Sequence, residues 1–328
     1  MRPGMLLLLL FQMMLWGSAY PMIKLGLTGL SAQHLTLLRH LVASAAFVPL
    51  LLVFKGRLRP LRADVPYLFL VGVLGYTVYH LALNFGELHV SAGAASLIIA
   101  TAPAITALLA VAMAGERLAP LGWAGSVVSF LGVIVIVMGD SRGGISFNVW
   151  AWLIVLSAVS TSFYAVLQKP LFTRYKPIEV AAFATWAGTV PLLVFLPGLG
   201  GEVLGAPAEA LGATLYIGLF PSAVAYTIFA FALSRTPITV VTAFLYLVPV
   251  FGLLSAWLLI GEVPALVTLV GGAIAVLGIV LVNLSKRRER SVARGLPLPE
   301  AALLAGEQPA DVVAVAVDGQ GGERDRQQ

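Results

Sequence analysis

Apolar residues fall in long blocks separated by short polar joints, from the first residues to Ser285. Ten blocks can be marked, at approximately 5–27, 34–54, 65–86, 91–114, 119–138, 149–168, 178–196, 211–233, 237–260 and 265–284. A bilayer core takes about 20 apolar residues per helical span, so each block is long enough to cross once. The runs are continuous, whereas transmembrane strands would be short and alternating. The pattern predicts an all-α polytopic membrane protein with ten transmembrane helices.

Two blocks are broken by a proline, and they match. AGAASLIIATAPAITALLAVAMAGE carries Pro103, Gly115 and Glu116, and VVTAFLYLVPVFGLLSAWLLIGE carries Pro249, Gly261 and Glu262, each 146 positions later. Gly72, Gly125 and Gly132 pair with Gly218, Gly271 and Gly278 at the same offset. The chain therefore divides into a first five-helix repeat at 1–140, a second at 146–285, and a tail at 286–328. The tail is rich in Gly, Pro, Ala, Gln and charges and reads as a disordered segment. Arg2 before MLLLLLFQMMLW, with Gly17, Ser18 and Ala19 behind it, imitates a cleaved signal peptide. Lys24 falls 145 positions before Lys169, however, so removing the first segment would break the repeat.

Charge gives the direction of insertion. Hydrophobic residues make up 59% of the chain and charged residues 11%, with a mean hydropathy of +0.96, against about a quarter charged in soluble domains. Basic residues gather in alternate joints: Lys55, Arg57, Arg59 and Arg62, then Arg117, then Arg174 and Lys176, then Arg235, then the KRRER run. The other joints hold Arg142 as their basic residue, beside Glu202 and Glu209. Cytoplasmic loops collect Lys and Arg, so both termini should be cytoplasmic in an integral, multi-pass protein of a bacterial plasma membrane. Five helices is an odd number, so the second repeat must enter the membrane inverted. The net charge of +5 then reports topology and contact with anionic headgroups, not nucleic acid. With no cysteine, disulfides and thiolate metal sites are unavailable.

Polar residues inside the blocks are the candidate chemistry. Tyr76, His80, Asn84 and Glu87 are spaced for one helix face. Charged groups near the centre of a span cost about 2.5–3.5 kcal/mol on insertion scales, so this stripe should face the interior. His80 and Glu87 are a candidate proton-linked pair. Ser157, Thr161, Tyr164 and Gln168 form a second stripe, read either as a wet pathway or as helix-to-helix glue. Lys24 and Arg39 sit near the end of the bundle where basic residues are otherwise missing. They either snorkel to headgroups or line a vestibule in which Arg39 could hold a carboxylate or phosphate through paired hydrogen bonds. Pro103 and Pro249 are candidate hinges at a central cavity, or packing kinks. The corners Gly115–Glu116 and Gly261–Glu262 read as structural: the glycine ends a helix and the acid favours the amino end of the next. Trp123, Trp150, Trp152 and Trp257 read as interfacial anchors, a role that suits Trp16 and Trp186 less well.

No catalytic residues, metal site or cofactor are expected. The chain has no GxxxxGK[ST] run and no HExxH, its acids are scattered, and His34, His40, His80 and His89 have no metal-ligand spacing. A membrane-embedded lipid enzyme is therefore the weakest alternative, and a passive channel the nearest.

The ordered set of motifs resembles the drug/metabolite transporter superfamily, in its EamA-type branch, over about residues 5–284. It comprises WGSAYP at Trp16–Pro21, LLRH with Arg39, the proline and terminal Gly-Glu of segments four and nine, and the glycine-rich segments five and ten. The resemblance implies a secondary transporter of small metabolites or drugs, commonly an exporter, with a cavity lined by segments one to four and six to nine. On that reading the substrate pathway includes Trp16, Tyr20, Lys24, Arg39, Tyr76, His80, Asn84, Glu87, Tyr164, Gln168 and Tyr226. The partners are a small-molecule substrate and membrane lipids, and a homodimer is compatible with the pattern. The repeat is uneven: Arg39 meets Thr185 or Trp186, and His80 and Glu87 meet Tyr226 and Leu233. Charge is concentrated in the first half.

Overall fold

The computed structural model describes residues 3–114, 120–139, 149–235 and 244–295. Every regular element among them is helical. In order these are α1 (Pro3–Gly26), α2 (Ala32–Val53), α3 (Val65–Gly72), α4 (Tyr79–Glu87), α5 (Ala92–Ile99), α6 (Ala102–Ala114) and α7 (Pro120–Gly139). Then come α8 (Ala151–Leu167), α9 (Pro177–Leu192), α10 (Leu199–Gly205), α11 (Ala208–Leu219), α12 (Ala225–Arg235), α13 (Val248–Ile260) and α14 (Leu266–Gly295). Among the described residues, six stretches are long and apolar enough to cross a membrane: Gly4–Gly26, Ala32–Val53, Arg62–Glu87, Ala151–Thr173, Pro177–Phe195 and Ala208–Phe229. Shorter apolar helices occupy the other four expected blocks. Gly115 and Glu116 lie outside the described residues, as do Arg117, Arg142 and the chain after Gly295.

Four expected blocks are interrupted. The block at 91–114 is two helices with a turn at Ala100–Thr101, and Pro103 is the second residue of α6. Pro249 is likewise the second residue of α13, preceded by the 3-10 turn Phe244–Leu247. In the first turn of a helix a proline gives up an N–H that has no intrahelical partner anyway, so both prolines open new helices instead of kinking old ones. The third block, 65–86, joins α3 to α4 through a π-helical stretch, Val73–Val78, and Phe220–Val224 joins α11 to α12 in the same way. The two π stretches fall at matching places in the two halves. At the far end, α14 continues through Gly295, so the KRRER run extends a helix of good helix-formers instead of opening the tail.

Glycine sets the closest crossings. A Cβ on Gly132 would meet the Ala275 backbone, and one on Gly278 would meet the Ser129 backbone, so α7 and α14 pack main chain against main chain. Small residues permit this where lipid supplies no hydrophobic drive for association. Gly72 of α3 and Gly188 of α9 meet similarly.

Opposite ends of the bundle carry different clamps. At the end with the basic joints, the largely buried Asp64 accepts from Arg174 Nη1 and Tyr175 Oη, each at 2.8 Å. Burial raises the pKa of the Tyr175 hydroxyl, so it stays neutral and also accepts from Leu61 N at 2.9 Å. Glu179, buried too, accepts from Arg57 N and Lys176 N at 2.7 Å. At the other end Glu202 accepts from Ser31 N at 2.8 Å and Ser31 Oγ at 3.0 Å, with His34 Nδ1 at 2.8 Å. Burial pushes the Glu202 carboxyl up, but the donors from Ser31 and His34 win and hold it below its ordinary pKa. Each clamp joins the first half of the chain to the second.

Candidate functional site

Between the two ends, α1, α2, α4, α8 and α12 enclose a column of aromatic rings. Trp16 stands 5.3 Å from Tyr226 and from Phe229, Tyr226 stands 5.3 Å from Tyr76, and Tyr76 stands 5.5 Å from Tyr164 (centroid distances). The Tyr76 and Tyr164 hydroxyls are 3.3 Å apart. The column continues to His80, which lies 4.7 Å from His40 and 4.5 Å from Tyr79. These contacts are edge-on or tilted, and aromatic pairs add about 0.5–1.5 kcal/mol each beyond burial.

The π stretches explain how this lining is held. A π turn leaves carbonyls without their usual helical donors and is frequent at functional sites. Trp16 Nε1 donates to Pro221 O at 3.1 Å, and Ser160 Oγ donates to Leu74 O at 2.7 Å. Trp16 is thereby fixed inside the bundle, and Trp186 donates inward to Ser44 O at 3.1 Å. The four tryptophans assigned to the interfaces are exposed, from 37% at Trp152 to 56% at Trp257.

The stripe on α4 and its π stretch is buried throughout. Tyr76, Asn84 and Glu87 have no exposure and His80 has 2%. Asn84 Nδ2 donates to Thr36 Oγ1 at 2.7 Å, leaving its Oδ1 without a donor. Neither carboxylate oxygen of Glu87 has a hydrogen-bond partner among the described residues. Glu87 lies within electrostatic range of Lys24, Glu262 and Arg39. Arg39 is buried on α2, donating to Ser222 Oγ from Nη2 at 2.9 Å and from Nε at 3.3 Å. Its Nη1 is buried and has no partner among the described residues. An unpaired buried polar atom costs about 1–3 kcal/mol, more when charged, so the opposed free groups of Arg39 and Glu87 suit a ligand that supplies their partners.

One crossing occurs twice with different chemistry. Arg39 meets Ser222 where α2 passes the second π stretch, and Thr185 meets Tyr76 where α9 passes the first. Both pairs are related by the 146-residue offset. The guanidinium is present once, so the lining is two-fold in shape and one-sided in charge.

Other expected residues fall differently. Tyr20 is buried near Tyr79 and Glu87, and Lys24 is half-buried. On α8, Ser157 of the second stripe donates to Tyr79 O at 2.8 Å and so acts as glue between helices, as does Ser162 outside the stripe, which donates to Ala102 O at 2.9 Å. Gln168 is buried at the end of α8, beyond the rings. Pro249 lines a lateral apolar groove of about 490 Å³ between α5, α13 and α14, with Leu97, Leu253 and Gly272. None of the column's rings lines it.

The sequence puts Glu262 at the amino end of the helix that follows; its carboxylate instead reaches α5, accepting from Gly93 N at 2.9 Å and Ala92 N at 3.2 Å. The helix-dipole argument holds, but the helix is a spatial neighbour. Gly261 does end α13 in the left-handed region, at φ 64°.

His40, Tyr79, Ser222 and Gln12 also belong to the lining, and sequence reasoning passed over them. Gln12 is fully buried with both amide atoms unpartnered. It stands one turn before Trp16 and two before Tyr20, and a lone polar residue within MLLLLLFQMMLW was the available signal. His40 carried no signal, because its closeness to His80 depends on how α2 packs on α4.

A family model described as the EamA-like transporter family matches residues 3–138 and again residues 148–284. A "Probable terminal-alkyne amino-acid exporter" of Streptantibioticus cattleyicolor is 41% identical over 282 residues, covering 84% of this chain and 93% of that protein. The "Uncharacterized transporter YdfC" of Bacillus subtilis is 40% identical over 266 residues, covering 81% and 86%. The "Uncharacterized inner membrane transporter YedA" of Escherichia coli K12 is 28% identical, covering 83% and 88%. A crystal structure 20% identical in sequence superposes with a TM-score of 0.59 over 88% of this chain and 100% of its own. That likeness concerns the fold alone.

Proposed function

The chain belongs to the EamA-like transporter family, which makes it a multi-pass membrane transporter and not an enzyme, and from that premise we propose that it is a secondary active exporter of small amino acids or closely related metabolites. Its ten membrane-crossing segments form two inverted five-segment repeats, residues 1–140 and 146–285, with both termini in the cytoplasm. The KRRER run and the basic joints support that orientation. Transport proceeds by alternating access around a site near the midplane. Clamps that join the two halves at both ends of one structure support such a cycle, since each end must close in turn.

One observation carries the substrate class. Arg39 and Glu87, opposite in charge and both buried, keep free hydrogen-bonding atoms on the same lining. A zwitterion satisfies both: its carboxylate takes the guanidinium and its ammonium takes the carboxylate. The aromatic column from Trp16 to Tyr79 offers its faces to an apolar side chain. Lys24, Tyr20 and Asn84 border the charged end, and Pro103 and Pro249 open the helices that would move against the rest. The relative named as an exporter of terminal-alkyne amino acids fits this class.

Thermal stabilisation of the purified protein tests the reading. Propargylglycine, a terminal-alkyne amino acid, should raise the melting temperature, while its amide and its N-acetyl derivative should not. Equal stabilisation by all three would remove the zwitterion reading.

A further inference from the structure

His40 and His80 are forty residues apart on different helices, yet their rings meet edge to face with centroids 4.7 Å apart and planes at 69°. His40 Nδ1 lies 2.8 Å from Thr36 O, and His80 Nδ1 lies 3.0 Å from Tyr76 O. A carbonyl oxygen only accepts, so in each ring Nδ1 carries the hydrogen and Nε2 is left as a lone pair. The same device fixes the tautomer of histidines that bind a metal, but among the described residues no third ligand stands near. His40 Nε2 is buried with no partner among the described residues. Two rings in edge-to-face contact thus each keep a basic Nε2, and the one on His40 has no donor.

We propose that His40 and His80 together form the proton-binding site of the transport cycle, taking up one proton between them and exchanging it for the substrate. The proposal rests on the transporter reading above and deepens it. The proton comes from water on one side of the membrane, is held on an Nε2, and returns to water on the other side, so no co-reactant is needed.

The surroundings oppose a second proton more than a first. A protonated ring would present its positive edge to the face of its neighbour, with Tyr79 at 4.5 Å from His80 and Tyr76 at 6.0 Å from His40 and 6.1 Å from His80, a cation–π setting. A second proton would stand beside the first and beside Arg39. The charged and titratable groups around the pair are Arg39 on α2, Tyr79 and Glu87 on α4, Tyr76 in the π stretch, Tyr164 on α8 and Tyr226 on α12. From α9 the neighbours are the neutral Thr185 and Trp186. Glu87 follows His80 by seven residues, about 10 Å along a helix, with Asn84 between. Exchange requires that proton and substrate weaken each other's binding by the same factor, and the proposal places that penalty between the proton on the pair and the ammonium held at Glu87.

Two measurements test the site together. In nanodiscs, ¹⁵N-histidine NMR should show the His40 and His80 signals moving together with uptake of one shared proton, and His40→Gln should change how His80 titrates. Independent titration of the two rings, or no movement of either between about pH 4 and 9, would overturn the proposal. In liposomes carrying a pH dye and loaded with propargylglycine, protons moved per substrate moved should fall roughly tenfold or more in His40→Gln and in His80→Gln, because a coupled pair acts as a unit. An unchanged ratio in either variant would also overturn it. If a variant moves too little substrate to give a ratio, its NMR titration decides. Absence of propargylglycine flux in the unmodified protein would instead count against the zwitterion reading, and the NMR result would still decide the proton site.

Discussion

Arg39 gives two of its donors to a single hydroxyl, Ser222 Oγ, and keeps Nη1 free inside the bundle. The planar fork is what makes this possible: one edge is anchored to the protein while the other is presented to a ligand. Lysine has the charge without the fork. Arg39→Lys should therefore weaken propargylglycine binding roughly tenfold, measured by titrating the thermal shift, because one ammonium cannot serve both Ser222 and a carboxylate. Affinity equal to that of the unmodified protein would show that Arg39 faces no substrate. Glu87 is the complementary case, an acid whose carboxylate oxygens have no donor among the described residues. Its side chain makes sense only with a ligand, a proton or the nearby Lys24 to balance it.

Among the elements, the repeat extends further than the sequence allowed one to read. The matched prolines were visible as letters, and the structure adds that the helix boundaries beside them repeat as well, at Ala102 and Val248. The paired π stretches were not legible, because no residue type marks a π turn; Gly75-Tyr76-Thr77 and Pro221-Ser222-Ala223 share no identity. The buried stripe Tyr76–Glu87 was legible from spacing, because hydrocarbon admits such residues only on an inner face. Asp64 and Glu179 were not, since beside basic joints they look like ordinary loop charges. Only the approach of Arg174, Tyr175 and Arg57 gives them a role.

Two tests belong at this scale. Gly132→Leu forces a side chain into the backbone of α14, and the expected cost is about 1–3 kcal/mol or more, read as a lowered melting temperature. No loss would mean that α7 and α14 are not packed this closely. The Glu202 clamp sets a pH dependence whose sign follows from its lowered pKa. Its stabilising effect is complete above the ordinary carboxylate range and is lost as pH falls through the lowered value. Glu202→Gln should melt earlier than the unmodified protein near neutrality, and the gap should close as the medium is acidified. A gap that widens in acid would assign the lowered pKa to the wrong cause.

At the level of the whole molecule, two halves of similar shape enclose a lining that is charged in one of them. Aromatic rings come from both: Trp16, Tyr76 and Tyr79 from the first, Tyr164, Tyr226 and Phe229 from the second. Arg39, Glu87, His40 and His80 come from the first alone. On this account the shared shape supplies the alternation, and the unshared charges supply recognition and coupling. A channel built from the same parts would hold both ends open together, whereas a carrier must return through its substrate-bound form. Counterflow separates the two most directly: proteoliposomes are preloaded with unlabelled propargylglycine, and uptake of the labelled compound is followed. The account predicts that preloading accelerates uptake and that the labelled compound transiently exceeds its external level. Uptake that ignores preloading and rises in simple proportion to concentration would contradict it.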